Sequence, residues 1–464
     1  MPMIDLGTRK DFAGRTVLVC GAGVAGASAA RALVSLGATV LVTDAGPSSV
    51  SGNVPAGAEF AGALGALPES VEVIVTSPGL RPDHPLLLQA GEHGLPILGE
   101  LEFAWRIRGD APADWLVVTG TNGKTTTVRM LEAILLAAGR RALAVGNVGV
   151  PVIDAVMADQ RYDVLAVEAS SFQLHHSATI RPRAGVLLNL APDHLDWHGT
   201  AASYAEQKAK VWAGGIAIGN ADDPRVAALL RGIEHPRKEW FTLGEPGPSR
   251  WGRHASALAV MEPLTGIHLI LPCADVRPSG LHNQANALAA AASAHAVGVP
   301  LADIARGLRA FVPDRHRNEY VATVGGVDYV DDSKATNPHA AAASLAAYRR
   351  VVWIAGGQLK GVQVEELVAE FAPRLRAAVL LGADRELIAA ALARHAPDLP
   401  VITVSRTDDG AMLDVVTAAA SLARAGDVVL LAPAAASYDM FTGYAARGAA
   451  FGAAVADLND GDRR

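Results

Sequence analysis

Cysteine is scarce in this chain of 464 residues, which has only Cys20 and Cys273. Two cysteines cannot make the disulfide framework of a small secreted domain, and neither has a neighbour at the spacing of a metal-binding motif. The first twelve residues carry Arg9, Lys10 and Asp11 and lack the apolar core of a secretory signal peptide. We therefore expect a protein of the reducing cytoplasm.

An excess of positive charge is also lacking, because 40 lysines and arginines face 47 aspartates and glutamates, a formal net charge of −7. This balance argues against nucleic acid as the main partner. The long uncharged stretch 278–302 is interrupted by histidine, asparagine and glutamine. It therefore predicts a buried, alanine-rich helix and no membrane span. We expect small-molecule partners and a monomer.

The length exceeds what one hydrophobic core usually supports, so about three domains are expected. Three times the chain passes from an apolar strand through a glycine-rich turn into a helix, which is typical of parallel α/β sheets. We predict an α/β fold with three domains, each on a largely parallel sheet: a Rossmann-like domain at 1–110, a P-loop-type ATP-binding domain at 111–312 and a second Rossmann-like domain at 313–464. The main predicted strands are 16–20, 39–43, 115–118, 143–145, 164–167, 185–188, 215–218, 327–330, 351–354, 377–381 and 428–431.

The most informative motif is the stretch 119–127, which joins the predicted strand 115–118 to an amphipathic helix. Small residues and glycines let several backbone N–H groups point into one concavity, where the helix N-terminus adds partial positive charge. Lys124 can then reach the outer phosphates of a nucleotide, and the Thr125 hydroxyl can hold Mg²⁺. The glycine spacing is shorter than in a standard Walker A motif, since Val118 stands where its first glycine would be. A glycine-rich turn without a nucleotide is the alternative interpretation.

A second glycine motif, Gly21-x-Gly23-x-x-Gly26, follows the first predicted strand, and Asp44 follows the second. The combination is typical of dinucleotide-binding proteins, including oxidoreductases. Small residues that pack a helix tightly against a strand would give the same pattern. Because a phosphate-binding loop follows in the next domain, hydride transfer is the less economical interpretation.

Glu168 comes directly after the predicted strand 164–167, at the sheet edge where ligands bind in open α/β folds. With Thr125 and a phosphate oxygen, its carboxylate would suit an oxygen-ligated Mg²⁺. His194 could bind a second metal ion or position a phosphoryl group. The alternative interpretations are a loop histidine at His194 and an ordinary surface lysine at Lys208.

Taken together, these motifs resemble the Mur ligases, a family of ATP-dependent ligases of peptidoglycan synthesis, over nearly the whole chain. The resemblance implies that Lys208 is carbamylated by CO₂ and becomes an anionic ligand of a second Mg²⁺. The implied ATP-binding residues are Gly120, Thr121, Asn122, Gly123, Lys124, Thr125, Thr126, Asn286, Arg317 and Asp332. The implied catalytic residues are Lys124, Glu168, His194, Lys208 and Arg317, and the implied metal ligands are Thr125, Glu168, His194 and carbamylated Lys208.

Finer matches within the family imply that glutamate, preferentially the D enantiomer, is joined to UDP-N-acetylmuramoyl-L-alanine through an acyl phosphate. The residues implied to bind glutamate are Lys334, Thr336, Lys360, Ser437, Tyr438 and Tyr444. Those implied to bind the UDP-linked substrate are Gly23, Val24, Ala25, Asp44, Ser77, Gly79, Asn147, Ser170 and Gln173. The simpler alternative is that Lys360 lies in solvent and that Ser437 caps a helix beginning at Tyr438.

The third predicted domain would supply Arg317, Asp332 and Lys360, so we expect it to close during the reaction. Two other classes remain open. Another amide ligase, similar to folylpolyglutamate synthetase, would share the phosphate loop and Lys208. A non-enzymatic nucleotide-binding protein would need neither Glu168 nor Arg317.

Overall fold

The computed structural model describes residues 6–45, 52–247, 250–408 and 410–461. It comprises two compact units, Met1–Asp275 with Ala285–Phe311 and Val276–Gln284 with Val312–Arg464, which we call the first and second units. Three sheets with mostly parallel strands confirm the predicted α/β class. The domain boundaries predicted near 110 and 312 stay predictions. Within the described ranges, no helix combines the length and hydropathy needed to cross a bilayer.

The first unit begins with a five-stranded sheet and its helices. These are β1 (Thr16–Cys20), α1 (Val24–Ser35), β2 (Thr39–Thr43), β3 (Ala58–Phe60), β4 (Val73–Thr76), α2 (Pro85–Glu92), β5 (Ile97–Gly99) and α3 (Glu100–Arg106). The strand order is β3-β2-β1-β4-β5, and all four pairs are parallel. Val17 and Val19 pack into one hydrophobic cluster and Leu18 and Cys20 into another. β1 is therefore buried on both faces, as is usual for a parallel strand between helices.

A nine-stranded sheet follows in the same unit. Its elements are β6 (Asp114–Thr119), α4 (Lys124–Ala137), β7 (Ala142–Gly146), α5 (Val152–Met157), β8 (Val164–Glu168), α6 (Ser171–His175), β9 (Ala184–Leu187), α7 (Leu195–His198), α8 (Ala201–Ala209), β10 (Ala217–Asn220), α9 (Pro224–Gly232), β11 (Lys238–Phe241), β12 (Arg250–His254), β13 (Ala257–Glu262) and β14 (Gly266–Pro272), followed by α10 (Leu281–His295) and α11 (Leu301–Ala310). The first four residues of α10 belong to the second unit. The order is β14-β13-β12-β11-β10-β9-β6-β8-β7. The pairs from β7 to β12 are parallel, whereas β13 pairs antiparallel with both β12 and β14.

The antiparallel strands β12 to β14 were not predicted from the sequence. The turn between β12 and β13 consists of Ala255 and Ser256, whose φ angles are 47° and 62°. Two-residue turns with positive φ usually contain asparagine or glycine, so this turn lacks the usual sequence signal. Most of the predicted parallel strands are present, with ends that differ by one or two residues.

The second unit contains a six-stranded sheet. Its elements are β15 (Glu319–Val324), β16 (Val327–Asp331), α12 (Pro338–Ala346), β17 (Val351–Gly356), α13 (Glu365–Phe371), β18 (Leu375–Leu381), α14 (Arg385–His395), β19 (Val401–Thr403), α15 (Ala411–Leu422), β20 (Val428–Leu431) and α16 (Tyr444–Gly461). The order is β15-β16-β20-β17-β18-β19; the edge pair β15–β16 is antiparallel and the other pairs are parallel. Trp353 and Leu430 pack on one face, and Ile354 and Leu431 on the other.

Candidate active site

The predicted phosphate loop lies between β6 and α4, and Gly123 determines its shape. The φ of Gly123 is 83°, a value that residues with a side chain rarely adopt. A Cβ at this position would lie 2.5 Å from Asn286 Oδ1, so Asn286 packs directly against the loop. Because α4 begins at Lys124, the free N–H groups of its first turn lie beside the loop and favour an anion there.

Lys124 lies within this loop. Its Nζ donates to the carbonyls of Gly120 and Thr121, each at 2.9 Å. Lys208 Nζ donates to the same Gly120 carbonyl at 2.9 Å. The structure therefore brings together two lysines that lie 84 positions apart in the sequence (208 − 124).

Asn189 and Tyr204 also hold the loop, although the sequence had given neither a role. Asn189 Oδ1 accepts from the Asn122 backbone N–H at 2.8 Å, and Asn189 Nδ2 donates to the Asn122 carbonyl at 3.1 Å. The hydroxyls of Thr121 and Tyr204 are 3.0 Å apart. The sequence signal that could have indicated a role for Asn189 was its position shortly after β9, because β9 pairs with β6, the strand that precedes the loop.

Glu168 is the last residue of β8 and is 2% exposed. Its Oε2 accepts from Thr125 Oγ1 at 2.7 Å, and its Oε1 accepts from Asn147 Nδ2 at 2.8 Å. A carboxylate, a hydroxyl and an amide from three separate segments thus meet at the end of one strand. Mg²⁺ prefers oxygen ligands of these kinds, so the residues present fit the predicted metal.

Lys208 is 1% exposed, and its interpretation as a surface lysine is wrong. Burial is the main cause that lowers the pKa of Lys208 well below the ordinary lysine value, and the positive charge of Lys124 lowers it further. Its Nζ lies 4.7 Å from the centre of the Tyr204 ring. A lowered pKa raises the neutral fraction of a lysine amine at any given pH, and the neutral amine is the form that reacts with CO₂. The site therefore fits a carbamylated lysine.

His194 lies between β9 and α7 with φ of 52°. Its ring packs edge-on against Phe172, with centres 4.7 Å apart, and its Nε2 lies 3.6 Å from Asp193 Oδ2. The side chain is 46% exposed. The imidazole is therefore accessible to a ligand.

The glycine motif of the first sheet combines tight packing with a polar contact. A Cβ at Gly26 would lie 1.8 Å from the Gly21 carbonyl oxygen, and one at Gly21 would lie 2.3 Å from Ser77 Oγ. Asp44 Oδ2 accepts from the Ala22 backbone N–H at 2.7 Å. Packing therefore explains Gly26, while Asp44 lies at the loop as a nucleotide site requires. Of the other predicted residues here, Gly23 precedes α1, Val24 and Ala25 open it, and Gly79 lies exposed after β4.

Ser170 and Gln173 form the first turn of α6 through a capping box, in which Ser170 Oγ accepts from the Gln173 N–H. Gln173 Nε2 donates to Glu100 Oε2 at 2.9 Å, and the Val152 N–H donates to Glu100 Oε1 at 2.8 Å. Burial raises the pKa of Glu100. Gln173 therefore connects the start of α3 to the second sheet, beside the predicted path of the UDP-linked substrate.

In the second unit, Arg317 lies in a tight turn. Its neighbours His316 and Asn318 both have positive φ, of 64° and 52°. His316 Nδ1 is 2.6 Å from Asp331 Oδ2, and the hydroxyl of Tyr348 donates to Asn318 Oδ1 at 2.7 Å. The residues on either side of Arg317 are therefore held by buried or half-buried partners. These contacts fix the backbone position of Arg317.

Asp332 follows β16 and accepts from Ser344 Oγ and from the Asn318 backbone N–H. Burial raises the pKa of Asp332 to about 6. Thr336 follows in the same loop, and its N–H donates to the Lys334 carbonyl at 2.8 Å.

Among the predicted glutamate residues, the structure brings together two pairs. Lys334 Nζ lies 3.9 Å from the centre of the Tyr444 ring, and Lys360 Nζ lies 5.9 Å from the Tyr438 ring. Ser437 is 2% exposed. The helix that Ser437 was suggested to cap begins instead at Tyr444, so the capping interpretation is wrong.

Arg447, on α16, was not predicted, yet it connects three loops of this region. Its Nε donates to Ser333 Oγ, Nη2 to the Ser333 carbonyl, and both terminal nitrogens to the Ala435 carbonyl. Nη1 also donates to the Gly356 carbonyl at 3.3 Å. The side chain is buried, and burial lowers the pKa of Arg447 to about 10. Since its partners are mostly backbone carbonyls, no motif pointed to it.

Comparisons with known proteins agree with this geometry. Residues 118–294 match the family model of the Mur ligase middle domain, and residues 316–435 match that of the Mur ligase, glutamate ligase domain. Residues 1–61 match a model described as alanine dehydrogenase/PNT, C-terminal domain. Three largely parallel sheets, a phosphate loop and a carboxylate at the adjacent strand end define an ATP-dependent ligase, and the chain belongs to the Mur ligase family.

Two curated relatives are similar over nearly their full length, and both are named UDP-N-acetylmuramoylalanine–D-glutamate ligase. The protein of Thermobifida fusca is 54% identical over 463 residues, covering 97% of this chain and 99% of the relative. That of Streptomyces coelicolor is 52% identical over 467 residues, with the same coverage of 97% and 99%.

Solved structures support the fold. The MurF ligase of Thermotoga maritima in complex with ADP aligns with a TM-score of 0.58 at 17% identity, covering 91% of this chain and 96% of that one. The UDP-N-acetylmuramate–alanine ligase of the same organism aligns with a TM-score of 0.57 at 17% identity, covering 90% and 95%. At these identities the likeness concerns the fold alone.

Proposed function

We propose that this protein joins D-glutamate to UDP-N-acetylmuramoyl-L-alanine with hydrolysis of ATP to ADP and phosphate, in the cytoplasm and as a monomer. The observation that carries the proposal is the meeting of Lys124 and Lys208 on the Gly120 carbonyl, in the same unit as the bonded pair Thr125 and Glu168. This arrangement suits the transfer of a phosphoryl group. The choice of substrates rests on the two relatives at 54% and 52% identity.

In the first step, the L-alanyl carboxylate attacks the γ-phosphorus of ATP, ADP leaves, and an acyl phosphate forms. The protein contributes by positioning and by neutralising charge. We assign Lys124 and the N–H groups at the start of α4 to the phosphates. Asn286, which packs against Gly123 of the loop, supports this assignment. We assign Arg317 to neutralise the negative charge that develops on the γ-phosphate.

Thr125, Glu168, His194 and carbamylated Lys208 are the residues we assign to hold two Mg²⁺ ions, which would neutralise phosphate oxygens. The carbamate forms when the neutral Lys208 amine attacks CO₂ and loses a proton. The lowered pKa of Lys208 supports this assignment, because it raises the fraction of the amine that is neutral.

In the second step, the glutamate amine attacks the acyl carbon and phosphate leaves with the bonding electrons, giving the amide after the nitrogen loses a proton. We assign the glutamate carboxylates to Lys360, Lys334, Thr336 and the Ser437–Tyr438 turn, with Tyr444 beside Lys334. The paired Lys334–Tyr444 and Lys360–Tyr438 contacts support two separate cationic positions, as a dicarboxylate requires. The UDP-linked substrate is assigned to the glycine motif, Asp44, Ser77, Gly79, Asn147, Ser170 and Gln173.

The test is an assay of phosphate release with ATP, Mg²⁺, the UDP-linked acceptor and each glutamate enantiomer, with product mass as a second readout. Acceptor labelled with ¹⁸O in its carboxylate should deliver one ¹⁸O to phosphate, because that oxygen bridges carbon and phosphorus in the acyl phosphate. D-Glutamate should support turnover and L-glutamate should not. Turnover with L-glutamate above that with D-glutamate, or phosphate free of ¹⁸O, would contradict the proposal.

A further inference from the structure

Three loops leave the same edge of the six-stranded sheet in the second unit. The strand order places β17 between β20 and β18, and β17 is parallel to both. We call the connections after these strands the β17 loop (357–364), the β18 loop (382–384) and the β20 loop (432–443). Lys360 in the β17 loop and Tyr438 in the β20 loop are both assigned to glutamate. The proposed function gives no role to the β18 loop.

The β17 and β20 loops are bonded to each other through their backbones. The Gln358 N–H donates to the Ala436 carbonyl at 2.8 Å, and the Ala436 N–H donates to the Gln358 carbonyl at 2.9 Å. A Cβ at Gly357 would lie 2.1 Å from the Ala436 carbonyl oxygen, so no side chain fits there. This bridge comes shortly before Lys360 in one loop and shortly before Tyr438 in the other.

Asp384 bonds the β18 loop to the β17 loop. Its Oδ2 accepts from the Leu359 N–H at 2.7 Å, and its own N–H donates to the Gly357 carbonyl at 3.0 Å. Asp384 stands at the N-cap position of α14, where an aspartate usually accepts from the first turn of its own helix. Within the described chain, its side chain makes no such capping bond. The carboxylate instead holds the residue that precedes Lys360.

Asp439 bonds the β20 loop to the β18 loop. Its Oδ2 accepts from the Ala383 N–H at 2.7 Å. Because β17 lies between β18 and β20 in the sheet, this contact reaches across the end of β17. A Cβ at Gly382 would lie 2.6 Å from Gly357 Cα and 2.7 Å from Asp439 Oδ2. The β18 loop therefore packs closely against both of the other loops, and the residue before Asp439 is Tyr438.

Each of the three loops is thus bonded to the other two, and the contacts close into a ring. The backbone of Lys360 shows why such a ring matters. Its φ is 54°, a left-handed conformation that residues with a side chain rarely adopt. Such a conformation persists only where surrounding contacts hold it. The bond from the Leu359 N–H to Asp384 is one of these contacts.

We propose that the β18 loop is a positioning element of the glutamate site and acts through Asp384 and Asp439. Asp384 fixes the backbone that carries Lys360, and Asp439 fixes the backbone that carries Tyr438. Both aspartates act through their neighbours and need no contact with glutamate. The inference rests on the proposed function, because it takes Lys360 and Tyr438 as glutamate contacts.

The kinetic test uses single variants of the full chain. Asp384→Ala and Asp439→Ala should each raise the KM for glutamate about fivefold or more, the loss expected for one hydrogen bond. The kcat and the KM for ATP should change less than about twofold, because the phosphoryl-transfer residues remain in place. Asp408→Ala is the matched control, since Asp408 Oδ1 also accepts from a backbone N–H, that of Gly410 at 2.9 Å, and lies after the edge strand β19.

Conservative variants separate positioning from a general loss of stability. Asp384→Asn and Asp439→Asn keep an acceptor oxygen and should stay within about twofold of the wild-type KM for glutamate. Melting temperatures identify variants that fail to fold. If the alanine variants melt below the assay temperature, Asp384→Glu replaces them. It keeps the charge, carries the carboxylate one methylene away from its place beside the Leu359 N–H, and should also raise the KM for glutamate.

The double variant Asp384→Ala/Asp439→Ala tests the ring itself. Once either aspartate is lost the ring is open, so the second loss should cost less. The rise in KM should therefore be smaller than the product of the two single rises. Hydrogen exchange of the Leu359 amide gives a readout without substrates. Asp439→Ala should speed this exchange at least about twofold, although the backbone partner of Asp439 is Ala383.

The outcomes distinguish this inference from the proposed function. Absence of glutamate-dependent phosphate release in the wild type would contradict both together. Normal wild-type turnover would leave the proposed function in place, and four results would then overturn the inference alone. These are an unchanged KM for glutamate in both alanine variants, an equal rise in the KM for ATP, multiplicative effects in the double variant, and Leu359 exchange that Asp439→Ala leaves unchanged.

Discussion

Arg447 donates to Ser333 twice, from Nε to the hydroxyl at 3.0 Å and from Nη2 to the carbonyl at 2.9 Å. Ser333 directly follows Asp332, which we assign to ATP, and comes shortly before Thr336, which we assign to glutamate. The same guanidinium reaches the loops that precede Lys360 and Ser437. One buried side chain thus holds the backbone from which the proposed glutamate contacts extend.

Arg447→Lys should raise the KM for glutamate about fivefold or more and raise the KM for ATP less. Lysine has three donors where arginine has five, so at least one of the four acceptors of Arg447 loses its partner, at about 1–3 kcal/mol each. The measurement is a pair of KM values together with the melting temperature. Arg350→Lys, at a side chain that is 60% exposed, is the control. A lower melting temperature with unchanged KM for glutamate would make Arg447 structural only.

Lys124→Ala and Glu168→Gln should each lower the rate of phosphate release by at least ~10²-fold, the usual loss when a positioned phosphate or metal contact is removed. Glu132→Gln is the matched control, since Glu132 lies on α4 and accepts from the Ala144 N–H and from Arg129. Rates near wild type in either of the first two variants would show that the loop is not the phosphate site.

Lys208→Ala should have little activity, and short carboxylates such as acetate should restore part of it by supplying the missing anionic ligand. Removal of CO₂ from the buffer should lower wild-type turnover, and bicarbonate should restore it. The alanine variant should not respond to bicarbonate. A fully active variant, or a wild-type enzyme indifferent to CO₂, would rule out the carbamate.

Lys360→Ala should raise the KM for glutamate far more than the KM for ATP, as expected when a binding contact is lost and the phosphoryl-transfer residues remain. Arg394→Ala, which removes a 56% exposed cation of the same unit, should change neither value. Equal increases in both KM values would place Lys360 outside the glutamate site.

Asp332→Asn should become more stable relative to the wild type as the pH rises. The pKa of Asp332 goes from 3.8 to about 6 on folding, so the folded state binds the proton more tightly. The stabilisation from that proton is fully present below about pH 4 and is lost as the pH rises through 6. The whole effect amounts to about 3 kcal/mol, from 2.2 pKa units at 1.36 kcal/mol each, and the part of it lost between pH 4 and pH 7 should be about 2 kcal/mol. A pH-independent difference in the free energy of unfolding would contradict this.

Many of the parallel strands were predicted, because a strand buried on both faces is a continuous apolar run. β4 was not predicted, although all four of its residues are buried. β1, β2 and β20 begin and end where predicted. β12 and β13 were missed because the Ala255-Ser256 turn that joins them lacks glycine and asparagine.

The candidate site also contains both residues that were predicted from the sequence and residues that were not. Lys124, Thr125 and Glu168 were predicted, since each follows a recognisable strand or loop, and the structure places them together. Asn189 and Arg447 were not given roles, because they act on backbone groups, and nothing in residue type alone shows which carbonyl a side chain will meet. The burial of Lys208 could not be predicted either, since its neighbours Thr119 and Gly120 lie far away along the chain.

The position of β20 inside the third sheet has a kinetic consequence. Val428 pairs with Asp328 and Val351, which lie 100 and 77 positions earlier (428 − 328 and 428 − 351). During folding, β16 and β17 therefore have unpaired, apolar edges until β20 pairs with them. Closing the long loops between these strands and β20 slows folding. Open edges of this kind pair between molecules. Refolding from denaturant should therefore give a higher yield at low protein concentration, and the losses should come from intermolecular pairing in the second unit.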